Sequence, residues 1–273
     1  MSGKLYVVGT PIGNLGDLSP RAEQTLKSVS FIAAEDTRVT LKLLNKFGID
    51  TPMVSYHEHN KEQKHGAIIA RIQGGEDCAL VTDAGMPAIS DPGEDLVRLC
   101  HESGIAVESV PGPSALITAL AISGMPSGRF CFEGFLSADK NERAERLSLL
   151  ADDTRTLIFY EAPHKLTATL KAMLGAFGDR TVALVKELTK LHESVERTTL
   201  AAAYEKYSVE EPKGEFVLIV SGAKEGDRRE YTLDEAVALA KKYVSEGMGV
   251  SGAAKVAANT TGIKKSDIYK ELI

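Results

Sequence analysis

The sequence has no apolar run approaching the ~18 residues of a membrane-spanning helix. Its opening stretch MSGKLYVVGT also lacks the long apolar segment and cleavage site of a secretory leader. A cytoplasmic protein is expected, with no membrane partner. Only three cysteines occur, Cys78, Cys100 and Cys131, widely spaced and odd in number. That argues against a disulfide framework and a CxxC-type zinc site and leaves reduced, buried thiols. Positive charge is scarce too: 32 Lys and Arg against 38 Asp and Glu give a net charge of −6, without the basic footprint of a broad nucleic-acid-binding face. Any such contact must be local. No repeat or low-complexity tract stands out, and 43% hydrophobic with 26% charged residues excludes a disordered or fibrous chain.

What is present is an alternation. Apolar runs rich in β-branched residues at LYVVG, FIAAE, ALVTD and IAVESV are separated by helix-like segments, the pattern of a mostly parallel sheet covered by helices. A second series follows, with RFCFEGFL, TLIFYEA, TVALVKEL and GEFVLIVSG as strands and helices from Lys140 to Leu150 and from His164 to Phe177. The 273 residues suit about two domains. The expected division is an N-terminal α/β domain at 1–120, a second α/β domain at 121–225 and a three-helix tail at 226–273, with a charged linker over 223–231. In the tail, Thr232 with Glu235 forms a capping box, and Ser251 and Ser266 can cap two further helices. Such a tail reads either as a helix-turn-helix-like module or as a helical cap on the second domain.

Three loops follow strands of the first domain. The first carries Gly9, Gly13 and Gly16, spaced GxxxGxxG, where a dinucleotide fingerprint needs GxGxxG. Pro11 removes an N–H donor that a pyrophosphate cradle would use. Glu35 and Asp36 after the second strand keep a dinucleotide alternative open, whereas a Walker A loop is excluded because no Gly-Lys-Ser/Thr ends the segment. The second loop, VTDAGMPAISDPGEDL, offers Asp83 nearest the strand end as a ligand acceptor, with Asp91 read as a turn residue. The third, SVPGPSALITALAISGMP, turns at Pro111 to Pro113 and offers Ser114 as a helix cap.

The ordered set GTPIGNLGDLSPRA, AEDTR, TDAGMPAISDPG, VPGPSA, FYEAPHK and KGEFVLIV closely resembles the bacterial methyltransferases that 2′-O-methylate a decoding-site cytidine of small-subunit (16S) ribosomal RNA. These are a branch of the tetrapyrrole methylase superfamily. The resemblance covers essentially the whole chain. It implies a two-domain α/β class III methyltransferase fold with a small C-terminal helical module, S-adenosylmethionine as methyl donor, the small ribosomal subunit as partner and a homodimer. By motif matching, Pro11, Asp83, the Ala84 to Ile89 loop, Ser114 and Ala115 contact the cofactor from the first domain. Tyr160, Ala162 and the Lys213 to Glu215 stretch, including Gly214, do so from the second. GTPIGNLGD and the long TDAGMPAISDP depart from the loops of tetrapyrrole-modifying relatives, which favours RNA as substrate.

Transfer to a ribose hydroxyl needs alignment and a proton acceptor. Glu35 and Asp36 of AEDTR, expected to emerge near the first loop, are the leading candidates, with Asp17 as a third. Arg21, Arg38 and Lys186 are the candidate RNA-phosphate contacts. The competing structural reading makes Asp17 a helix cap and pairs Arg21 and Arg38 with those carboxylates. His57, Glu58 and His59 invite a metal site, but a surface loop fits better and methyl transfer needs no metal. Lys140, Arg143 and Arg146 sit among glutamates, as on a solvated charged helix. Two rival functions stand beside this one, an enzyme of the same fold acting on a tetrapyrrole and a nucleic-acid-binding regulator acting through the tail. The acidic charge predicts recognition of a shaped target, an assembled or partly assembled subunit, over naked RNA.

Overall fold

The computed structural model describes residues 2–91, 93–224 and 231–273. The chain forms two compact units, Met1–Thr118 with the return segment Leu188–Leu191, and Ala119–Glu187 with His192–Ile273.

In the first unit, β1 (Lys4–Val8), β2 (Phe31–Ala34), β3 (Met53–Ser55), β4 (Cys78–Val81) and β5 (Ala106–Val110) form one sheet in the order β3-β2-β4-β1-β5. Every pair in it is parallel. The uninterrupted apolar runs FIAA and CALV become β2 and β4, buried at every position, as a sheet covered on both faces requires. On one face Val8, Ile32 and Val81 pack with Ala22 and Leu26 of α1 (Pro20–Ser28) and Leu43 and Leu44 of α2 (Thr37–Phe47). On the other, Leu5, Phe31 and Leu80 meet Ile68 and Ile72 of α3 (Lys61–Gln73) and Leu96 and Cys100 of α4 (Glu94–Glu102). Helix α1 starts where Ser19 accepts a hydrogen bond from the Ala22 N–H and Pro20 fixes the first turn. The cap expected of Asp17 therefore falls to Ser19, and Asp17 lies in a separate 3-10 turn, Leu15–Asp17. Helix α5 (Ala115–Ser123) follows β5 and contains the boundary between the units.

The second unit holds β6 (Phe130–Phe135), β7 (Thr156–Glu161), β8 (Thr181–Lys186), β9 (Ser194–Thr199) and β10 (Phe216–Val220) in the order β6-β7-β10-β8-β9. Only β6 and β7 run parallel. Helices α6 (Lys140–Leu150), α7 (Pro163–Phe177) and α8 (Leu200–Val209) supply Leu147, Leu166, Leu170 and Leu200 to a core with Leu157, Phe159, Leu184 and Leu218. Strands β3 and β9 were not expected. The first has three residues, and the second reads SVERTT on a sheet edge, so neither leaves an apolar run.

The tail forms α9 (Leu233–Ser245), α10 (Val250–Thr261) and α11 (Lys265–Lys270). Thr232 and Glu235 make the full capping box. Helix α10 starts after Gly249 and α11 after Lys264, so Ser251 and Ser266 lie inside helices and cap neither. Ala236, Ala240, Ala253, Ala257 and Ile268 form a small core that also takes in Ala144 of α6, and Lys255 pairs with Glu145. The tail thus packs on the second unit. Helix α6 is correspondingly less solvated than its charges suggest: Leu147, Ser148 and Leu150 are buried and Arg146 pairs with Glu133. The expected boundary at 225/226 and most of the 223–231 linker fall outside the described residues. Cys78 and Cys100 are buried thiols, whereas Cys131, on the edge strand β6, is only half-buried.

Candidate active site at the carboxyl edge of the first sheet

Because the strands of the first sheet are parallel, their carboxyl ends share one edge, the place where open α/β sheets bind ligands. The loop after β1 is laced to its neighbours there. The Gly9 N–H donates to Val110 O at 3.0 Å, and Thr10 and Gly85 exchange backbone hydrogen bonds of 2.9 and 3.1 Å. The Thr10 hydroxyl donates to Thr82 O at 3.1 Å. With the Gly9 and Thr10 N–H groups used and Pro11 having none, this turn cannot cradle a pyrophosphate, and the dinucleotide alternative fails. A Cβ on Gly9 would lie 2.7 Å from the Gly112 Cα and 2.7 Å from Met86 Sδ, so the first and third loops touch backbone to backbone with the Met86 side chain packed against them. Pro11 is buried, Ser114 and Ala115 are half-buried, and the Ser114 carbonyl accepts from the Thr118 N–H in the first turn of α5. The return segment joins this edge as well, since a Cβ on Gly13 would meet Thr189 Oγ1 and Lys190 Cγ at 2.8 Å.

The carboxylates occupy the neighbouring part of the edge. Glu35 Oε2 accepts from the Thr82 hydroxyl at 2.5 Å and from the Asp83 N–H at 3.3 Å. Strand β4 lies between β1 and β2, so Glu35 meets the second loop and not, as expected from AEDTR, the first. Asp83 is exposed; its Oδ1 accepts from the Asp36 N–H at 3.1 Å, and its other oxygen accepts from none of the described residues. Asp36 caps α2 through the Arg38 N–H at 2.8 Å and grips the Arg38 guanidinium at 2.6 Å. Those bonds hold its carboxyl down at about 2, which makes it a poor proton acceptor at neutral pH. Glu35 and Asp36, adjacent in sequence, are thereby separated in chemistry. Arg38 takes the structural pairing that was one of its two readings, with its side chain still 86% exposed. Arg21 does not; it donates to Ser109 O at 3.2 Å. Asp17 is exposed, and no hydrogen bond joins its side chain to Glu35 or Asp36.

Asp91, read from sequence as a turn residue, also belongs to this cluster. It is half-buried, and burial, reinforced by the charge of Glu35, pushes its carboxyl up to about 6. An open cleft of about 400 Å³ is lined by Glu35, Glu58, Ala88, Ile89, Asp91 and Glu94. Ile89 is 55% exposed and Ala84 is exposed, as loop residues that meet a ligand would be. The signal for Asp91 was the second aspartate of TDAGMPAISDPG, for which the turn reading was preferred, and the Gly93 N–H does donate to its carbonyl at 2.8 Å. His57 and His59 lie in the loop that leads into α3, and no group of three potential metal ligands converges among the described residues.

Within the second unit, the Tyr160 ring contacts Phe132 and Phe135, with centroids 4.9 and 5.5 Å away. Ala162 caps α7, and its N–H donates to Glu161 Oε1 at 2.8 Å. Glu161, 4% exposed, also accepts from the Thr169 hydroxyl, so it serves the helix start. Gly214 has φ +86°, and a Cβ there would strike the Glu187 side chain. Lys213 is exposed near Glu211, and Lys186 Nζ lies 5.9 Å from the centre of the Phe216 ring.

Comparison with known proteins agrees with this architecture. The model of the tetrapyrrole (corrin/porphyrin) methylases matches residues 4–204. Ribosomal RNA small subunit methyltransferase I of Synechocystis sp. is 45% identical, covering 98% of this chain and 96% of its own. The protein of the same name from Xylella fastidiosa is 48% identical, covering 98% of each. The crystal structure of uroporphyrin-III C-methyl transferase from Thermus thermophilus complexed with S-adenyl homocysteine has a TM-score of 0.55 at 19% identity, over 80% of this chain and 97% of that one. The parallel sheet with its loops at one edge, the mixed second sheet and the full-length similarity lead to one statement: the chain belongs to the tetrapyrrole methylase family and, within it, to the group of ribosomal RNA small subunit methyltransferases I.

Proposed function

We propose that this protein transfers a methyl group from S-adenosylmethionine to the 2′-hydroxyl of a cytidine ribose in small-subunit (16S) ribosomal RNA, acting in the cytoplasm as a homodimer. The observation that carries the reading is the identity of 45% and 48% to the two relatives, over 98% of the chain. It weighs against a tetrapyrrole substrate, since the tetrapyrrole-modifying structure shares only 19%.

The first unit's edge fits the cofactor. The close backbone approach of Gly9 and Gly112, the Met86 side chain beside it and loop N–H groups already used suit a flat nucleoside and a cationic sulfonium better than phosphates. Asp83 can accept from an amine or a ribose hydroxyl, and Pro11, Ala84 to Ile89, Ser114 and Ala115 supply the walls. The family assignment of Tyr160, Ala162, Lys213 and Gly214 is tested separately, by substitution within the second unit.

S-adenosylmethionine supplies an electrophilic methyl on sulfur. The chain's own task is to align the acceptor oxygen and to take its proton. Glu35 does the latter, with one oxygen pinned by two donors and the other accepting from none of the described residues. Asp36 is held too acidic for this, and Asp17 is not linked to the cluster. Arg21, Arg38 and Lys186 bind RNA phosphate. Phe130 and Phe135 of β6 and Val195 of β9, exposed apolar residues on the edge strands of the second sheet, support a second copy as partner, which light scattering tests.

The test of function is incubation with labelled S-adenosylmethionine and small subunits from cells lacking the protein. One ribose linkage should become resistant to alkaline cleavage. A labelled but alkali-labile linkage would place the methyl on a base and end the 2′-O reading.

A further inference from the structure

Positive charge is in the minority in this chain, 32 Lys and Arg against 38 Asp and Glu, yet one helix gathers it without a counterweight. Helix α2, TRVTLKLLNKF, places Arg38, Lys42 and Lys46 at i, i+4 and i+8 and holds no carboxylate. No other described helix combines three Lys or Arg with no Asp or Glu. Elsewhere the i, i+4 spacing joins opposite charges, Glu23 with Lys27 in α1 and Arg98 with Glu102 in α4. Like charges one turn apart weaken a helix, so the stripe stands against the helix's own stability. Among the described residues neither Lys42 nor Lys46 makes an ion pair or a side-chain hydrogen bond. The nearest carboxylates along the chain stand only at the ends of α2, Asp36 at the N-cap, bonded to Arg38, and Asp50 beyond the C-cap Gly48.

Thr40, Leu43 and Leu44 are buried and Phe47 packs beside them, so the cations share the outer face with Asn45. Leu41 and Val39, both exposed, flank them. At 1.5 Å per residue the stripe is about 12 Å long, enough to meet about three phosphates at the ~3.4 Å rise of one strand. It also has a direction. Helix α2 starts at Thr37, two residues after Glu35, so the stripe leads to the carboxyl edge where Glu35 meets the loop of Asp83. Arg38 keeps a free donor there, since Asp36 takes its Nε and Nη2 and leaves Nη1 without a bond among the described residues.

We propose that the outer face of α2 is the surface on which one strand of the substrate RNA docks, with Lys42 and Lys46 on successive phosphates and Arg38 on the phosphate nearest the acceptor ribose. The inference rests on the reading of the substrate as ribosomal RNA. Leu41 and Val39 then lie against sugars and bases. Because the net charge of −6 gives no long-range attraction to a polyanion, this local stripe supplies the salt-dependent part of the binding.

The test compares the full chain with Lys42→Gln/Lys46→Gln and with Lys171→Gln/Lys241→Gln, which removes the same two charges from exposed positions on α7 and α9. Binding to undermethylated small subunits is measured from about 50 to 200 mM salt. The α2 variant should bind about tenfold more weakly or worse at the low-salt end, and its slope of log affinity against log salt should fall by about 1 per lysine. The control should match the wild type in both. Single-turnover methyl transfer at saturating subunits should be near the wild-type rate in the α2 variant, with the loss confined to KM. Denaturant melts should show that variant no less stable than the wild type, since two like-charge contacts are removed. Unchanged affinity and slope in the α2 variant overturn the proposal, as does an equal loss in the control. Weaker binding with the wild-type slope would mean that the lysines meet a surface other than phosphate and overturns it too. Flotation of the wild type with phosphatidylserine vesicles, lost in the α2 variant while subunit binding is kept, would assign the stripe to a lipid surface instead. Salt-dependent docking that behaves as expected in a protein that methylates no ribose upholds this surface and defeats the proposed function.

Discussion

In the first unit all five strands run the same way, so the residues after β1, β2, β4 and β5 leave the sheet along a single edge; in the second, only β6 and β7 run together. There β10 is antiparallel to both its neighbours and β9 to β8, so the loops divide between two edges. The acids follow this difference. Glu35 and Asp83 meet beside Thr82, each with one carboxylate oxygen that accepts from none of the described residues, and Asp91 lines the same cleft as Glu35, whereas Glu161 and Glu133 of the second unit are absorbed by Thr169, the Ala162 N–H and Arg146. A carboxylate at the end of a strand is thus a candidate for chemistry only where the topology gathers other loops around it.

Substitutions can break that comparison or sharpen it. The largest effect is expected from Gly9→Val, whose Cβ has no room beside the Gly112 backbone. Denaturant melts should show a loss of about 3 kcal/mol or more, with S-adenosylmethionine binding lost. Gly262→Ala in the tail meets nothing within 4 Å and should cost only ~1 kcal/mol, the penalty of its left-handed backbone. Thr169→Val leaves buried Glu161 short of a donor and should destabilise by about 1–3 kcal/mol, while methyl transfer by the folded protein is unchanged. Impaired chemistry with unchanged stability in this variant would erase the distinction between the two sheets.

The smallest effect concerns acid stability. The Asp36 carboxyl is held at about 2, below its ordinary 3.8, so the folded state binds fewer protons than the unfolded one as pH falls through this interval. Its contribution is complete above the unfolded value and is lost on acidification towards the folded one. The pair is exposed, so the difference is small. Arg38→Ala should lower the melting temperature slightly at neutral pH, and the two melting curves should converge in strong acid.

Much of the fold was legible because buried parallel strands print themselves as unbroken apolar runs, as FIAA and CALV do. Strands β3 and β9 were not legible, being respectively too short and too polar to carry a period. In the site, Pro11 and the loop glycines correctly argued against a phosphate cradle. The order of strands could not be read, and with it went the placement of Glu35: its partner Thr82 is 47 residues away and is brought to it by the pairing of β2 with β4. Asp91, read as a turn residue, shares the cleft with Glu35 for the same reason, since that neighbourhood is set by what lies across the loop and not by the residues beside it.

The claim that the first sheet's edge takes the proton of the acceptor ribose is tested most directly by single-turnover methyl transfer to undermethylated small subunits by Glu35→Gln. The account expects transfer slowed by about a hundredfold or more, with S-adenosylmethionine still bound. Transfer at the wild-type rate would contradict it.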